Sequence, residues 1–168
     1  MSPRRRPHLR IARTGAGRYA IDLPREEREV IVGLVQQLRE VLLVTTDDPI
    51  VRRLFPTAYN EDADRDQEYQ QLVRDELLER RLAALATVEA TMSARDLDDA
   101  ALSGWLTALN DLRLVLGTRL DVSEDDVDLD ADDPEAPARA VYHYLSLLVS
   151  EAVDALEPDL PSPAEPDV

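Results

Sequence analysis

Apolar residues recur at helical spacing through most of this 168-residue chain, and this periodicity constrains the fold more than any other feature. Proline stands at positions 24 and 49, at the start of two periodic stretches, where a helix tolerates it. The predicted helices cover residues 24–44, 49–55, 65–92, 98–120 and 137–156. Each of them is amphipathic, so they should pack around one core. The sequence predicts a mainly α, five-helix bundle-like domain.

A short N-terminal β-hairpin is predicted over residues 9–23. Apolar and basic residues alternate over 9–13 and again over 18–23, and the glycine-containing turn 14–17 separates the two runs. A hairpin of this size is not stable alone, so it should pack on the helices.

The spacing also predicts which side of each helix is buried. On the first helix the predicted inner positions are Val30, Leu34, Leu38, Val41 and Leu42. On the long third helix they are Tyr69, Leu72, Val73, Leu77, Leu82, Leu85 and Val88.

Three segments lack this periodicity. Residues 1–8 are rich in Arg and Pro, residues 121–135 hold nine acids in fifteen positions, and residues 157–168 are Pro-rich. Such compositions predict a disordered basic N-terminus, a solvated acidic loop and a disordered tail. A single domain over residues 9–156 remains.

The net charge argues against direct DNA binding. The chain has 19 basic residues, all Arg, and 35 acidic residues, for a net charge of −16. Residues 1–28 are an exception, with eight arginines against three acids. A body this acidic repels phosphate backbones, so direct DNA binding is disfavoured except through the N-terminal arginines.

The composition predicts a cytoplasmic protein without a cofactor. The chain has no Cys, which excludes disulfides and thiolate metal sites, and only two His. No 18-residue apolar run is present, and the basic start is not followed by the apolar segment of a secretory signal. No nucleophile, metalloprotease or phosphate-loop motif occurs.

Asp75, Glu76 and Glu79 on the long helix are the only residues that suggest an enzyme. All-helical nucleotide pyrophosphatases bind magnesium through acidic pairs on neighbouring helices, but no matching pair follows downstream. Arg74, Arg80 and Arg81 lie nearby and favour a salt-bridged helix surface instead.

The fourth helix carries the single Trp and a polar cluster. Trp105 is expected in the core and, if it were exposed, would be a natural interface anchor. Asn110, Asp111 and Arg113 form either the outward face of the helix or a buried polar contact with the long helix.

Two stretches resemble a known family. They are Arg53-Leu54-Phe55-Pro56-Thr57-Ala58-Tyr59, followed by Asp62 and Glu68-Tyr69-Gln70-Gln71-Leu72, and the segment from Trp105 to Leu120. Together they resemble an actinobacterial family listed as a domain of unknown function, which includes a mycobacterial oxidative-stress regulator, AosR. The resemblance covers most of residues 9–156.

The resemblance implies a transcription co-regulator that contacts a sigma factor, an RNA polymerase-associated protein or a protease adaptor. The related regulator is thought to sense oxidants through a disulfide, which this cysteine-free chain cannot form. The residues that the resemblance marks as candidates for partner binding are Arg53, Phe55, Tyr59, Asp62, Glu68, Tyr69, Trp105, Asn110, Asp111 and Arg113.

The predicted function is therefore that of a non-enzymatic regulator acting by protein–protein contact. The alternatives are a magnesium-dependent nucleotide hydrolase, a regulator that binds DNA through its N-terminal arginines, and a homo-oligomer paired through its last helix.

Overall fold

The computed structural model describes residues 8–56, 63–121 and 132–157. These residues form four α-helices and a three-stranded antiparallel sheet, so the domain is mainly helical as predicted. In chain order the elements are β1 (Ile11–Gly15), β2 (Arg18–Ile21), α1 (Arg25–Val44), a 3-10 turn (Pro49–Val51), α2 (Ala63–Ala90), β3 (Asp96–Leu97), α3 (Asp99–Leu120) and α4 (Ala136–Leu156). Residues 1–7, most of the predicted acidic loop and the tail from 158 lie outside the described residues.

The prediction of a fifth helix over residues 49–55 is wrong. Only the 3-10 turn Pro49–Val51 forms there, with the Asp48 side chain accepting a hydrogen bond from the Ile50 amide at 2.9 Å. Pro56 disfavours helical backbone at the residue before it, which limits the segment to about one turn. The Leu54 carbonyl is bound by a side chain of α2, as described below, and not by a following helical turn.

The predicted hairpin is present and is extended by a third strand. β1 and β2 pair in antiparallel fashion around Gly17, whose φ of 64° suits the turn. β3 pairs with the other edge of β2, with Tyr19 opposite Leu97. β3 has only two residues, which is too short for a period-2 pattern to reveal.

The outer edge of β1 packs against α4. The Glu151 carboxylate accepts hydrogen bonds from the backbone amides of Arg10 and Ile11, at 2.9 and 3.0 Å. Arg13 Nε donates to the Ala155 carbonyl at 2.9 Å, near the C-terminal end of α4. These contacts satisfy strand amides and helix carbonyls that would otherwise be left unpaired at the edges of the two elements.

Helix α3 lies at the centre of the domain and packs on α2 and α4. Its start is set by Asp98, whose side chain accepts a hydrogen bond from the Ala101 amide at 2.8 Å. Gly104 lets α2 approach closely, since a Cβ built there would lie 2.8 Å from the Thr87 methyl group. Within the described ranges, no helix has the length and hydropathy that crossing a membrane requires.

Candidate protein-interaction site

Two arginines of α2 hold the segment between α1 and α2 in place. Arg74 donates to the Thr46 hydroxyl at 2.7 Å, to the Thr46 carbonyl at 2.6 Å and to Asp47 at 2.9 Å. Arg81 donates to the Leu54 carbonyl from Nε and Nη2, at 3.1 and 2.8 Å. Because the two arginines lie two helical turns apart, they fasten Thr46, near the start of this segment, and Leu54, near the end of its described part, to the same side of α2.

Phe55 lies beside both of these arginines. Its ring is buried, and its centroid is 5.3 Å from the Arg74 guanidinium carbon and 5.8 Å from that of Arg81. Guanidinium groups at this range are attracted to the face of an aromatic ring. The family-motif residue Phe55 therefore helps to hold the two arginines.

Arg81 also connects the motif that contains Phe55 with the motif of α3. The Arg81 Nη1 atom forms an ion pair with Asp111, which is 1% exposed. The other Asp111 side-chain oxygen has no partner among the described residues. Burial raises the pKa of the Asp111 carboxyl above its usual value, and the attraction of Arg81 offsets only part of that rise. The sequence allowed two interpretations of Asp111, an outward-facing position or a buried polar contact. The structure agrees with the buried contact, which joins α3 to α2.

A shallow hollow opens next to Phe55, at the N-terminal half of α2. Its lining is mainly apolar and includes Phe55, Pro56, Val73 and Leu77, with Tyr69 also contributing. Contrary to the predicted inner face of this helix, Tyr69 is 65% exposed and Leu72 is 58% exposed. The structure thus places two large apolar side chains on the surface beside an apolar hollow.

Carboxylates surround these two exposed side chains. Glu68, Asp75, Glu76 and Glu79 are all exposed on α2. In the part of the chain that the structure describes, none of the four forms an ion pair, although Asp75 accepts a hydrogen bond from Gln71 at 2.9 Å. We name the surface formed by Glu68, Tyr69, Leu72, Asp75, Glu76 and Glu79 the α2 face.

The other candidate residues lie elsewhere. Trp105 is fully buried and donates from Nε1 to the Thr91 hydroxyl at 2.8 Å, so it belongs to the core, as the default interpretation expected. Arg113 donates to the Asn110 side chain at 2.8 Å, and both are half-buried. Arg53 is exposed near Gly117 of α3. Tyr59 and Asp62 lie outside the described residues.

The carboxylates of α2 are not joined by others in a metal-binding arrangement. Across residues 8–56, 63–121 and 132–157, no group of three or more His, Asp or Glu side chains is placed to hold a metal ion. The magnesium-hydrolase alternative needs a second acidic cluster facing Asp75, Glu76 and Glu79. The described part of the chain does not supply one.

A second polar cluster, between β1, α1 and α4, is one that sequence reasoning missed. Arg10 donates to both Glu27 oxygens, at 3.1 and 3.0 Å, and the Tyr144 hydroxyl donates to the same carboxylate. Burial alone would raise the pKa of Glu27, but the hydrogen bonds from Arg10 and Tyr144 outweigh it and hold this pKa below its usual value. Burial and the Glu27 hydrogen bond raise the pKa of Tyr144. More than 100 residues separate Glu27 from Tyr144, and no spacing rule connects them.

The lowered pKa of Glu27 predicts a specific dependence of stability on pH. An acid whose pKa is lowered in the folded state contributes its full stabilisation when the pH is above its unfolded-state pKa. This contribution is lost as the pH falls through the folded-state pKa. We expect Glu27→Gln to cost about 1.5–3 kcal/mol at pH 7, because it removes the charge from several hydrogen bonds. The cost should shrink between pH 5 and pH 3, as measured by urea unfolding. Glu26→Gln, at a neighbouring exposed acid, is the control, and an equally pH-dependent cost there would contradict the prediction.

Comparison with known families finds a match over most of the chain. The model of a family described as a domain of unknown function, DUF2017, matches residues 5–156. The chain belongs to this family. Both motif segments of the predicted resemblance lie inside the matched range, as does the whole α2 face. No curated protein and no solved structure matches the chain.

Proposed function

We propose that this DUF2017 protein is a non-enzymatic cytoplasmic regulator that acts by protein–protein contact at the α2 face. Its partner in this proposal is a sigma factor, another RNA polymerase-associated protein or a protease adaptor, as the resemblance to the oxidative-stress regulator AosR implies. Since the chain has no Cys, it responds to oxidants, if at all, through its partner and not through a thiol of its own.

The observation that carries the proposal is the exposure of Tyr69 and Leu72 beside an apolar hollow. Exposed apolar groups that adjoin a concave surface and are rimmed by charge are typical of protein-binding sites. Tyrosine is also among the residues that contribute most binding energy in interfaces. Arg74 and Arg81 hold Phe55 and its flanking segment against α2, so the lining of the hollow is positioned before any partner arrives.

The contacts of the described arginines in residues 8–28 favour this proposal over direct DNA binding. Arg10 is paired with Glu27, Arg13 binds the carbonyl of Ala155, and Arg25 is paired with Glu29. Arg28 donates to carbonyls of Leu23, Met92 and Ala94. Four of the five arginines of residues 8–28 therefore bind groups within the domain, whereas Arg18 is exposed and Arg4, Arg5 and Arg6 lie outside the described residues.

Affinity capture from cells that naturally produce the protein tests the proposal. We expect the wild-type chain to enrich a sigma factor, a polymerase subunit or a protease adaptor, identified by mass spectrometry. The paired change Tyr69→Ser and Leu72→Ser should reduce that enrichment at least about tenfold, because two hot-spot side chains of more than 1 kcal/mol each are lost.

The matched control replaces two exposed apolar residues of α4 in the same way. Leu147 is 52% exposed and Val153 is 38% exposed, and Leu147→Ser with Val153→Ser should leave capture unchanged. Circular dichroism establishes that both variants are folded. Capture of no protein of these three classes, or equal loss in both variants, would contradict the proposal.

A further inference from the structure

We infer that the α2 face binds a cationic amphipathic helix of the partner protein. This inference rests on the proposed function and specifies the chemistry of the segment that docks there. It follows from how apolar and charged side chains alternate along one helix and from the local electrostatics.

The apolar part of the α2 face is short, so it fits a partner helix with a short apolar stripe. Leu72 is exposed one turn after Glu68, and Tyr69 belongs both to the face and to the lining of the hollow. From Glu68 to Glu79 the face spans about 16 Å at 1.5 Å per residue, or about three helical turns. A partner helix of similar length, with apolar residues at i, i+3, i+4 and i+7, covers Leu72 and places one side chain in the hollow.

The charge of the face selects a cationic partner. Four exposed carboxylates flank Tyr69 and Leu72, and the described residues pair none of them with a cation. Arg74, which also lines the hollow, already binds Thr46 and Asp47. The rest of the molecule is acidic too, with a net charge of −16. A neutral or acidic helix would meet unpaired carboxylates around its apolar stripe, whereas Lys and Arg side chains would neutralise them.

A second copy of this chain is a poor occupant of the same face. In a two-fold dimer the face meets itself, which brings Glu68, Asp75, Glu76 and Glu79 of one copy close to the same residues of the other. Like charges in such contact are destabilising, so this face is expected to bind a different protein and not a second copy of the chain.

Fluorescence anisotropy with a labelled 18-residue peptide tests the inference. The peptide contains only Leu and Lys in a helical amphipathic pattern, and a matched peptide replaces every Lys with Glu. We expect the Leu/Lys peptide to bind the full chain and the Leu/Glu peptide to show no binding. Tyr69→Ser with Leu72→Ser should weaken binding at least about fivefold, and Glu76→Lys with Glu79→Lys at least about tenfold.

The decisive control makes the same charge change elsewhere. Glu40 on α1 and Asp154 on α4 are exposed, and Glu40→Lys with Asp154→Lys alters net charge by the same amount as the α2 variant. Its affinity should fall less than threefold. Equal loss in the two charge variants, equal binding of both peptides, or a dimer in light scattering that the α2 charge variant dissociates would each overturn the inference. The peptide assay needs no natural partner, so its outcome is separate from that of the capture experiment.

Discussion

Replacing Trp105 with alanine is expected to lower the free energy of unfolding by about 3–5 kcal/mol. The side chain is fully buried on α3, among the residues of the central core, so its removal leaves a cavity that the packed helices cannot close. The change also removes the hydrogen bond from the indole to the Thr91 hydroxyl. Because single domains are stable by about 5–15 kcal/mol, the variant should retain only part of its stability. Urea unfolding followed by far-UV circular dichroism measures the change.

Two further variants separate packing from hydrogen bonding at this position. Trp105→Phe keeps much of the ring and should cost less than alanine. Thr91→Val keeps the shape of the acceptor side chain and leaves the indole N–H without its partner, at a cost of about 1–3 kcal/mol. A loss below 1 kcal/mol for Trp105→Ala would contradict its assignment to the core.

The helices themselves could be predicted because each has a local cause in the sequence. Asp98 caps α3, and Leu102, Leu109 and Leu112 follow at helical spacing on its buried side. The failed prediction of a helix over 49–55 has a tertiary cause in addition to the local effect of Pro56. The Leu54 carbonyl is bound by Arg81 of α2, and a side chain 27 positions away leaves no mark on the local pattern.

Which apolar face is covered was harder to predict. On α1 the predicted inner positions included Val30, which is 45% exposed, whereas Ile31 and Val35 are fully buried. The apolar arc of this helix is wide enough to contain both stripes, so spacing alone does not choose between them. On α2 the predicted inner positions Leu85 and Val88 are fully buried, whereas Tyr69 and Leu72, predicted on the same side, are exposed. Periodicity reports that apolar residues share a side of a helix, and not whether another element covers it.

The polar contacts of the candidate site were predicted only in part. The sequence marked Phe55, Glu68, Tyr69 and Asp111 through the resemblance, and the structure brings Phe55 and Asp111 together through Arg81. Nothing in the sequence pointed to that arginine as the link, because it was interpreted as part of a salt-bridged surface. Arginines that bind backbone carbonyls, as Arg28 and Arg81 do, have targets that carry no side-chain signature.

The ion pair between Arg81 and Asp111 is expected to be the most sensitive polar contact in the domain. Arg81→Met should cost about 3–5 kcal/mol, because it leaves a buried carboxylate without its cation and removes two donors from the Leu54 carbonyl. Arg80→Met is the matched control, since Arg80 is the adjacent residue, is exposed and forms no ion pair among the described residues. The control should change stability by no more than about 0.5 kcal/mol. Similar losses in the two variants would contradict a structural role for the pair.

A double-mutant cycle and a pH series show whether the two charges act as a unit. Arg81→Met with Asp111→Leu removes both charges, so its cost should be smaller than the sum of the single costs by about 1–3 kcal/mol. In Arg81→Met alone, the pKa of Asp111 should rise further, because burial is no longer opposed by a cation. A carboxyl with a raised folded-state pKa takes up its proton more readily when folded, so this variant should gain stability relative to wild type as the pH falls from 7 towards 4. Glu27 imposes the opposite pH trend on both proteins, so comparing the variant with wild type at each pH isolates the contribution of Asp111. If the difference in unfolding free energy between the two proteins stayed constant with pH, Asp111 would not be the group responding.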